Sequence, residues 1–408
     1  MPTARLHPSD DGGPVAAFRR ELRAFLAAHH PGRPPKGAED RLRFERDWAG
    51  VLADAGWAAP GWPKEWGGMD LPAGLQLVYH EEMAQARAPA HPSPNSFIVG
   101  PALLRFGTPE QKERFLRPIV RADELWCQGF SEPEAGSDLA ALRTRAVRDG
   151  DGYVVTGQKV WTSRATEADW MFTLVRTGPP ASGADGITYL LVDMTSPGIT
   201  VRPLRDMTGG AFFAEVFLDG VRVPRHRRVG DENGGWVVAR TSLGHERSTS
   251  RVALAVRYRR VVDELFRLAR TLGRADDPVV RQELARLEAD VRLLALTFAR
   301  VAAAVTRGEE PGPASSVSRL HLARFEQRLH ELAVSLCGPA GMLDATAADA
   351  PEGGRWTWGF LKTRASTIGA GTAEIQRTTI AEQVLGLPRE PPAWPHRGRP
   401  GLPHPSAT

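Results

Sequence analysis

The residues whose types and spacing could do chemistry stand in two blocks. The first reads Gln128-Gly129-Phe130-Ser131-Glu132-Pro133-Glu134-Ala135-Gly136-Ser137-Asp138, the second Gly157-Gln158-Lys159-Val160-Trp161-Thr162-Ser163. Ser131, Gly136 and Ser137 are small enough to let backbone close on something flat and polar. Trp161 adds an aromatic plane beside the hydroxyls of Thr162 and Ser163. A ring with one apolar face and an acceptor-rich edge matches that set. Between the blocks, Asp149-Gly150-Asp151-Gly152 is a strong hairpin-turn signal, and Tyr153-Val154-Val155-Thr156 returns from it. On spacing alone, an ordinary surface hairpin accounts for the stretch equally well.

The elements that must position these blocks follow from periodicity and breaks. Helical pattern covers Val15 to His29, Arg41 to Ala55, Leu75 to Ala88 and Ser96 to Phe106, with Pro-rich breaks at 31–35 and 89–94. Thr108-Pro109-Glu110-Gln111 is a helix start, with a hydroxyl cap, proline at the first position and glutamine at the third. After Trp126 the period changes. Tyr153 to Thr156, Trp170 to Val175, Ile187 to Val192 and Phe213 to Leu218 are β-branched and aromatic, with Gly and Pro between them. From Gly234 the pattern is helical again. Leu284, Leu287, Val291, Leu294, Phe298, Val301 and Val305 form one three-four seam; Leu322, Phe325, Leu329, Leu332 and Leu336 form another. Such seams serve helix bundles and subunit interfaces. The expected organisation is a disordered stretch over 1–14, a helical domain over 15–125 and a β-domain over 126–232. A helical domain over 233–388 and a flexible Pro-rich tail over 389–408 complete it.

Composition bounds the partners. The 408 residues can bury a large core, and 42% hydrophobic with 25% charged content is ordinary for a globular chain. With 52 basic and 48 acidic residues the net charge is only +4, and no basic block with interleaved aromatics marks a nucleic-acid site. Two cysteines, Cys127 and Cys337, make no disulfide framework and fit a reducing cytoplasm. The N-terminus has no apolar signal-peptide core. The most apolar segment, Leu293 to Val305, is too short to span a bilayer and is interrupted by Arg300. The eleven histidines show no metal-ligand spacing, so no metal is expected. Gly369-x-Gly371 lacks the third glycine and the preceding strand of a dinucleotide fingerprint.

The two blocks, in this order and at this separation, resemble the flavin-binding signature of the acyl-CoA dehydrogenase family. Trp57-Ala58-Ala59-Pro60-Gly61-Trp62-Pro63-Lys64-Glu65-Trp66-Gly67-Gly68 and Gly371-Thr372-Ala373-Glu374-Ile375-Gln376-Arg377 carry the resemblance to both ends, over roughly residues 15 to 388. It implies an α+β fold in which an N-terminal helical domain, a β-barrel-like central domain and a C-terminal four-helix bundle hold FAD. The implied substrate is an acyl-CoA, or an acyl group on a carrier protein, and the implied electron acceptor an electron-transfer flavoprotein. A homotetramer or a mixed oligomer follows as the expected assembly.

For the site, the resemblance places Gln128, Phe130, Ser131, Gly136, Ser137, Trp161, Thr162, Ser163, Thr372 and Glu374 at the flavin. Ser131 falls at the pyrimidine edge, Trp161 on the isoalloxazine and Ser163 near N5. Ser137, Gly244, Arg247, Ala370 and Gly371 fall at the thioester substrate. Desaturation between the α and β carbons needs a base for the α proton and a donor to the thioester oxygen. Most members carry the base as a glutamate just before Gly-Thr; here Ala370 stands there, although its backbone amide can still donate. The isovaleryl and long-chain branches carry the base on a helix immediately before an arginine. In Ser242-Leu243-Gly244-His245-Glu246-Arg247-Ser248, Glu246 falls at that position. A solvated helix carboxylate is its alternative.

Two departures accompany the match. Arg270-Thr271-Leu272-Gly273-Arg274-Ala275-Asp276-Asp277-Pro278 replaces the Arg-x-x-Phe-Gly motif that grips flavin from a neighbouring subunit. Ser335-Leu336-Cys337-Gly338-Pro339-Ala340-Gly341 replaces the following Gln-x-x-Gly-Gly element. Weaker hold on the adenosine half is expected. The alternative to an enzyme is a non-catalytic subunit completing a partner's site; within enzymes, an oxidase remains open.

Overall fold

The computed structural model describes residues 13–35, 37–245, 252–307, 309 and 314–389. Five helices come first: α1 (Pro14–His29), α2 (Ala38–Asp54), α3 (Ala73–Gln85), α4 (Ser96–Phe106) and α5 (Pro109–Arg121). Helix α1 opens on Pro14, inside the stretch expected to be disordered, because proline at the first turn forfeits only an amide that has no helical acceptor. Residues 1–12 and 390–408 lie outside the described residues. Helix α5 starts as its sequence requires. Thr108 Oγ1 accepts from Gln111 N at 3.3 Å and Gln111 Oε1 accepts from Thr108 N at 3.1 Å, a reciprocal cap. The same Gln111 side chain donates to the carbonyls of His226 and Arg228 at 2.7 and 2.8 Å, tying this helix to the sheet.

Helix α3 divides its circumference among neighbours. Leu77 packs with Val252 and Ala302 of the C-terminal helices. Glu81 and Glu82, both buried, meet α1: Arg19 Nη2 lies 2.7 Å from Glu81, Arg23 Nε lies 2.6 Å from Glu82, and Arg19 also pairs with Glu82. A third face is left for the cleft described below.

The sheet has eight strands: β1 (Trp126–Gly129), β2 (Arg145–Asp149), β3 (Gly152–Ser163), β4 (Trp170–Arg176), β5 (Ile187–Asp193), β6 (Ile199–Leu204), β7 (Phe213–Pro224) and β8 (Arg228–Val229). Their order is β6-β7-β3-β2-β4-β5-β8, with β1 parallel to β4. The expected hairpin is the β2–β3 pair, closed at Asp149 against Gly152. All seven residues of β4 are buried; the apolar ones are joined by Thr173, which donates to Gly129 O at 2.5 Å, and Arg176, which donates to Leu142 O at 3.2 Å. Strand β3 continues well past Thr156, and its pairing with β7 slips twice, between Val155 and Gly157 and between Lys159 and Thr162. Strand β6 is a half-exposed edge strand carrying Thr200, Arg202 and Pro203, so it lacks the apolar run that marks a strand in sequence.

Helices α6 (Gly235–His245), α7 (Val252–Thr271), α8 (Pro278–Thr306), α9 (Ala314–Cys337), α10 (Arg355–Thr363) and α11 (Ala373–Thr379) follow. The two three-four seams are spent inside the chain: Leu287, Leu294 and Phe298 of α8 share one core with Phe325 and Leu329 of α9, Val262 and Leu265 of α7, and Trp356 of α10. The exception is Val305, at the end of the first seam, which is half-buried and lines the cleft. Helix α6 packs elsewhere. Its Val238 and Ala239 join the core of the first helical layer, with Phe172 and Tyr189 from one face of the sheet. No helix among the described residues is long and apolar enough to cross a membrane.

Candidate active site

A cleft of 2410 Å³ opens where the first helical layer, the sheet and the C-terminal helices meet. Gln128, Phe130, Ser131, Gly136 and Ser137 of the first block line it, as do Trp161 and Ser163 of the second and Ala370, Gly371 and Thr372 of the loop before α11. Three stretches, the last more than 200 residues beyond the first two, thus share one wall system.

What joins the first two blocks is a buried ion pair. Lys159 is fully buried, and its Nζ donates to Glu132 Oε1 at 2.7 Å and to the Phe130 carbonyl at 3.2 Å. Glu132 also accepts from the backbone amides of Arg143 at 2.6 Å and Thr144 at 2.9 Å. Burial pushes the Glu132 carboxyl up, but the Lys159 charge and these donors outweigh it and leave it below the usual carboxylate range. Burial pulls Lys159 down to about 8 against the opposing pull of Glu132. One backbone bond, Val160 N to Ser131 O at 3.0 Å, completes the join. The pair was not foreseen, since a lysine in a strand ordinarily points to water.

The second slip of β3 sets the aromatic plane. It puts Trp161 at φ 60°, a conformation that bulky residues rarely adopt, and turns its indole outward, 61% exposed, with Phe213 edge-on at 6.0 Å. Lys159 and Thr162, on either side, point inward. Thr162 is fully buried, is not on the cleft wall, and its Oγ1 has no hydrogen-bond partner among the described residues.

On the opposite wall the loop before α11 has its carbonyls drawn away. Arg319 Nη2 donates to Gly369 O at 2.7 Å, while the buried Gln376 amide lies 3.4 Å from Ala370 O and 3.3 Å from Gly371 O. Ala370 stands at φ 54° and Gly371 at φ 90°, a left-handed conformation that favours glycine; a Cβ at Gly371 would also press on Gln376 Nε2 at 2.5 Å. The Ala370 N–H has no protein acceptor among the described residues. Gln376 and Arg319 went unforeseen as positioning residues, although Gln376 lies within the quoted C-terminal motif. Thr372 accepts from Ile375 N at 3.2 Å and caps α11, so its hydroxyl has a local role as well. Glu374 is exposed, pairs with Arg377 at 3.0 Å and is not on the wall. Gly244 lies near the end of α6; Glu246 and Arg247 lie outside the described residues.

The start of the first block is stitched to the helical layer. Ser93 Oγ donates to Trp126 O at 2.7 Å, and Ser93 N donates to His91 Nδ1 at 3.2 Å. Nδ1 also lies 3.0 Å from Ser93 O and Nε2 lies 3.0 Å from Ile119 O, so a carbonyl faces each ring nitrogen. Burial holds this imidazole neutral, lowering it to about 4.

The comparisons with known proteins agree with this geometry. Residues 15–123, 127–221 and 233–385 match the family models described as the N-terminal, middle and C-terminal domains of acyl-CoA dehydrogenase. A relative from Mycobacterium tuberculosis (strain ATCC 25618 / H37Rv), acyl-CoA dehydrogenase IpdE1, is 41% identical over 391 residues, covering 92% of this chain and 98% of its own. Among solved structures, the Tcur3481-Tcur3483 steroid ACAD superposes with a TM-score of 0.80 at 31% identity, covering 93% of this chain and 100% of its own. The ChsE4-ChsE5 complex from Mycobacterium tuberculosis does so with 0.79 at 33% identity, covering 95% and 100%. The fold is that of a family of flavin-dependent oxidoreductases. The chain belongs to the acyl-CoA dehydrogenase family.

Proposed function

We propose that the chain oxidises a bulky acyl-CoA thioester to its 2,3-enoyl product with FAD as the flavin. The observation that carries this is the convergence of Ser131, Ser137, Trp161 and Ser163 with the Ala370–Gly371 loop on one cleft. The residues suit an isoalloxazine: an exposed indole held out by the β3 slip, with the Ser131 and Ser163 hydroxyls lining the same cleft. Trp161 and Phe130 would hold the ring's apolar face, with Ser131 and Ser163 at its polar edge. Bound FAD would supply the two-electron oxidation. The chain's own part is to orient the thioester and move one proton. The Ala370 N–H donates to the thioester oxygen, stabilising charge as the α proton leaves. Glu246 takes that proton; this assignment rests on the sequence match alone.

The steroid named for the Tcur3481-Tcur3483 structure favours a polycyclic acyl group over a slender one. Two of the similar structures pair different chains, which favours a mixed oligomer here. An electron-transfer flavoprotein is the proposed acceptor and the cytoplasm the proposed compartment. The test is anaerobic titration of the FAD-loaded protein with a panel of acyl thioesters. Bleaching of the flavin by a polycyclic thioester supports the reading. FAD that no thioester bleaches would make this chain a site-completing subunit instead.

A further inference from the structure

Helix α3 contributes Ala73, Gln76, Tyr79, His80, Met83 and Ala84 to the cleft wall. Three of the six are polar, and they differ in what they already hold. The Tyr79 hydroxyl donates to Trp57 O at 2.7 Å. The Gln76 amide donates to Leu71 O at 2.8 Å. The ring nitrogens of His80 have no hydrogen-bond partner among the described residues; its one described contact is edge-on with the Tyr79 ring, centroids 5.4 Å apart. The neighbouring helical walls contribute Phe97, Ile98 and Trp236, which offer apolar surface to a ligand. Burial lowers the His80 imidazole to about 4, so near neutral pH it carries one donor nitrogen, one acceptor nitrogen and no charge.

We infer that His80 is a recognition point for an oxygen substituent, a carbonyl or a hydroxyl, on the ring portion of the acyl group. The inference rests on the proposed reading of the cleft as an acyl-thioester site. A neutral imidazole is poorly suited to a carboxylate or phosphate, which call for a cation. Against a purely hydrocarbon acyl group both nitrogens would lose water and gain nothing, and an unmet buried polar group weakens binding. An oxygen on the ligand removes that penalty, because a carbonyl accepts from the N–H and a hydroxyl can serve either nitrogen. The α3 wall therefore sorts acyl groups by oxygenation as well as by size.

The experiment uses the FAD-loaded protein in the oligomer it forms on purification. Its probes are 2,3-enoyl thioesters in pairs that share a fused-ring skeleton, one member bearing a ring ketone or hydroxyl and the other CH2 in its place. A set of pairs moves the oxygen around the ring system. Affinity is read from the perturbation of the flavin absorption, so no turnover is needed. For at least one pair the oxygenated member is expected to bind about tenfold or more tightly, as one satisfied buried hydrogen bond implies. His80→Leu should collapse that ratio toward one, and His80→Gln, which keeps a donor and an acceptor, should retain part of it. A ratio cancels any general loss of affinity from imperfect folding. Absence of preference in every wild-type pair, or a preference unchanged in His80→Leu, overturns the inference. If straight-chain thioesters bleach the flavin while no ring-bearing probe perturbs it, the inference falls and the dehydrogenase reading stands. If no thioester bleaches the flavin, the dehydrogenase reading itself fails and takes the inference with it.

Discussion

Lys159 Nζ sits 2.7 Å from Glu132 Oε1 beneath the cleft wall, where neither side chain can fall back on water. Removing one member of such a pair strands the other. Lys159→Met should therefore destabilise the fold by about 3–5 kcal/mol, read from the shift in a urea or guanidinium transition. Glu132→Gln should cost less, because burial already brings Lys159 down to about 8 and the lysine can shed its proton. A Lys159→Met transition at the wild-type midpoint would show that the pair holds nothing together.

Acid should loosen the molecule before its carboxylates are fully protonated. His80 and His91 are each lowered from an ordinary value of 6.5 to about 4 by burial. Between those values the unfolded chain binds protons that the folded chain refuses, so stability falls as pH drops from about 6.5 to 4 and is regained on returning above it. Denaturation midpoints at pH 7, 5.5 and 4.5 check the slope. Replacing His91 with Gln should flatten it in part, leaving the share of His80; an unchanged slope would place the loss in other groups.

Trp161 holds flavin, on this reading, without holding the fold. Its indole is 61% exposed, so Trp161→Ala should leave the stability of the flavin-free chain within about 0.5 kcal/mol of wild type. Removing the Trp161 plane should lower FAD occupancy, measured by visible absorption after dialysis. An equally yellow variant would remove Trp161 from the cofactor site.

Replacing Glu246 with Gln keeps size and polarity but deletes the base. Flavin reduction by a good thioester should slow at least ~10²-fold with flavin binding intact. Ala370 already stands at φ 54°, so Ala370→Glu adds no new backbone conformation and can be combined with Glu246→Gln to ask whether a carboxylate there restores rate. Wild-type reduction kinetics in Glu246→Gln would make Glu246 a surface carboxylate.

Much of this architecture is legible residue by residue, and the exceptions have physical causes. Helix α4 spans Ser96–Phe106 as its apolar pattern and flanking breaks require, and the Thr108–Gln111 cap forms as spelled. Periodicity reveals an apolar face but not the partner it meets. Hence the α8 and α9 seams read as candidate interfaces although they close on each other, and nothing marked α6 as a member of the first helical layer. The two blocks were legible through their motif; their link through Lys159 was not, because composition does not distinguish a strand lysine paired with a buried glutamate from one that faces water. The α3 wall was invisible for a related reason: Gln76 and His80 read as an ordinary polar face until a cavity lies over them.

Helix α3 keeps its obligations apart. Leu77, Glu81 and Glu82 anchor it to the C-terminal helices and α1, while His80 and Ala84 line the cleft. Substitutions on the second set leave the anchoring contacts alone, so selection for a new acyl group can change this face in single steps without first acquiring a stabilising background. The Lys159–Trp161 stretch allows no such freedom, since the residue that anchors the strand and the one that presents the ring are two positions apart. In descendants of this chain, diversification should therefore concentrate on one stripe of one helix while the ring-presenting strand stays the same.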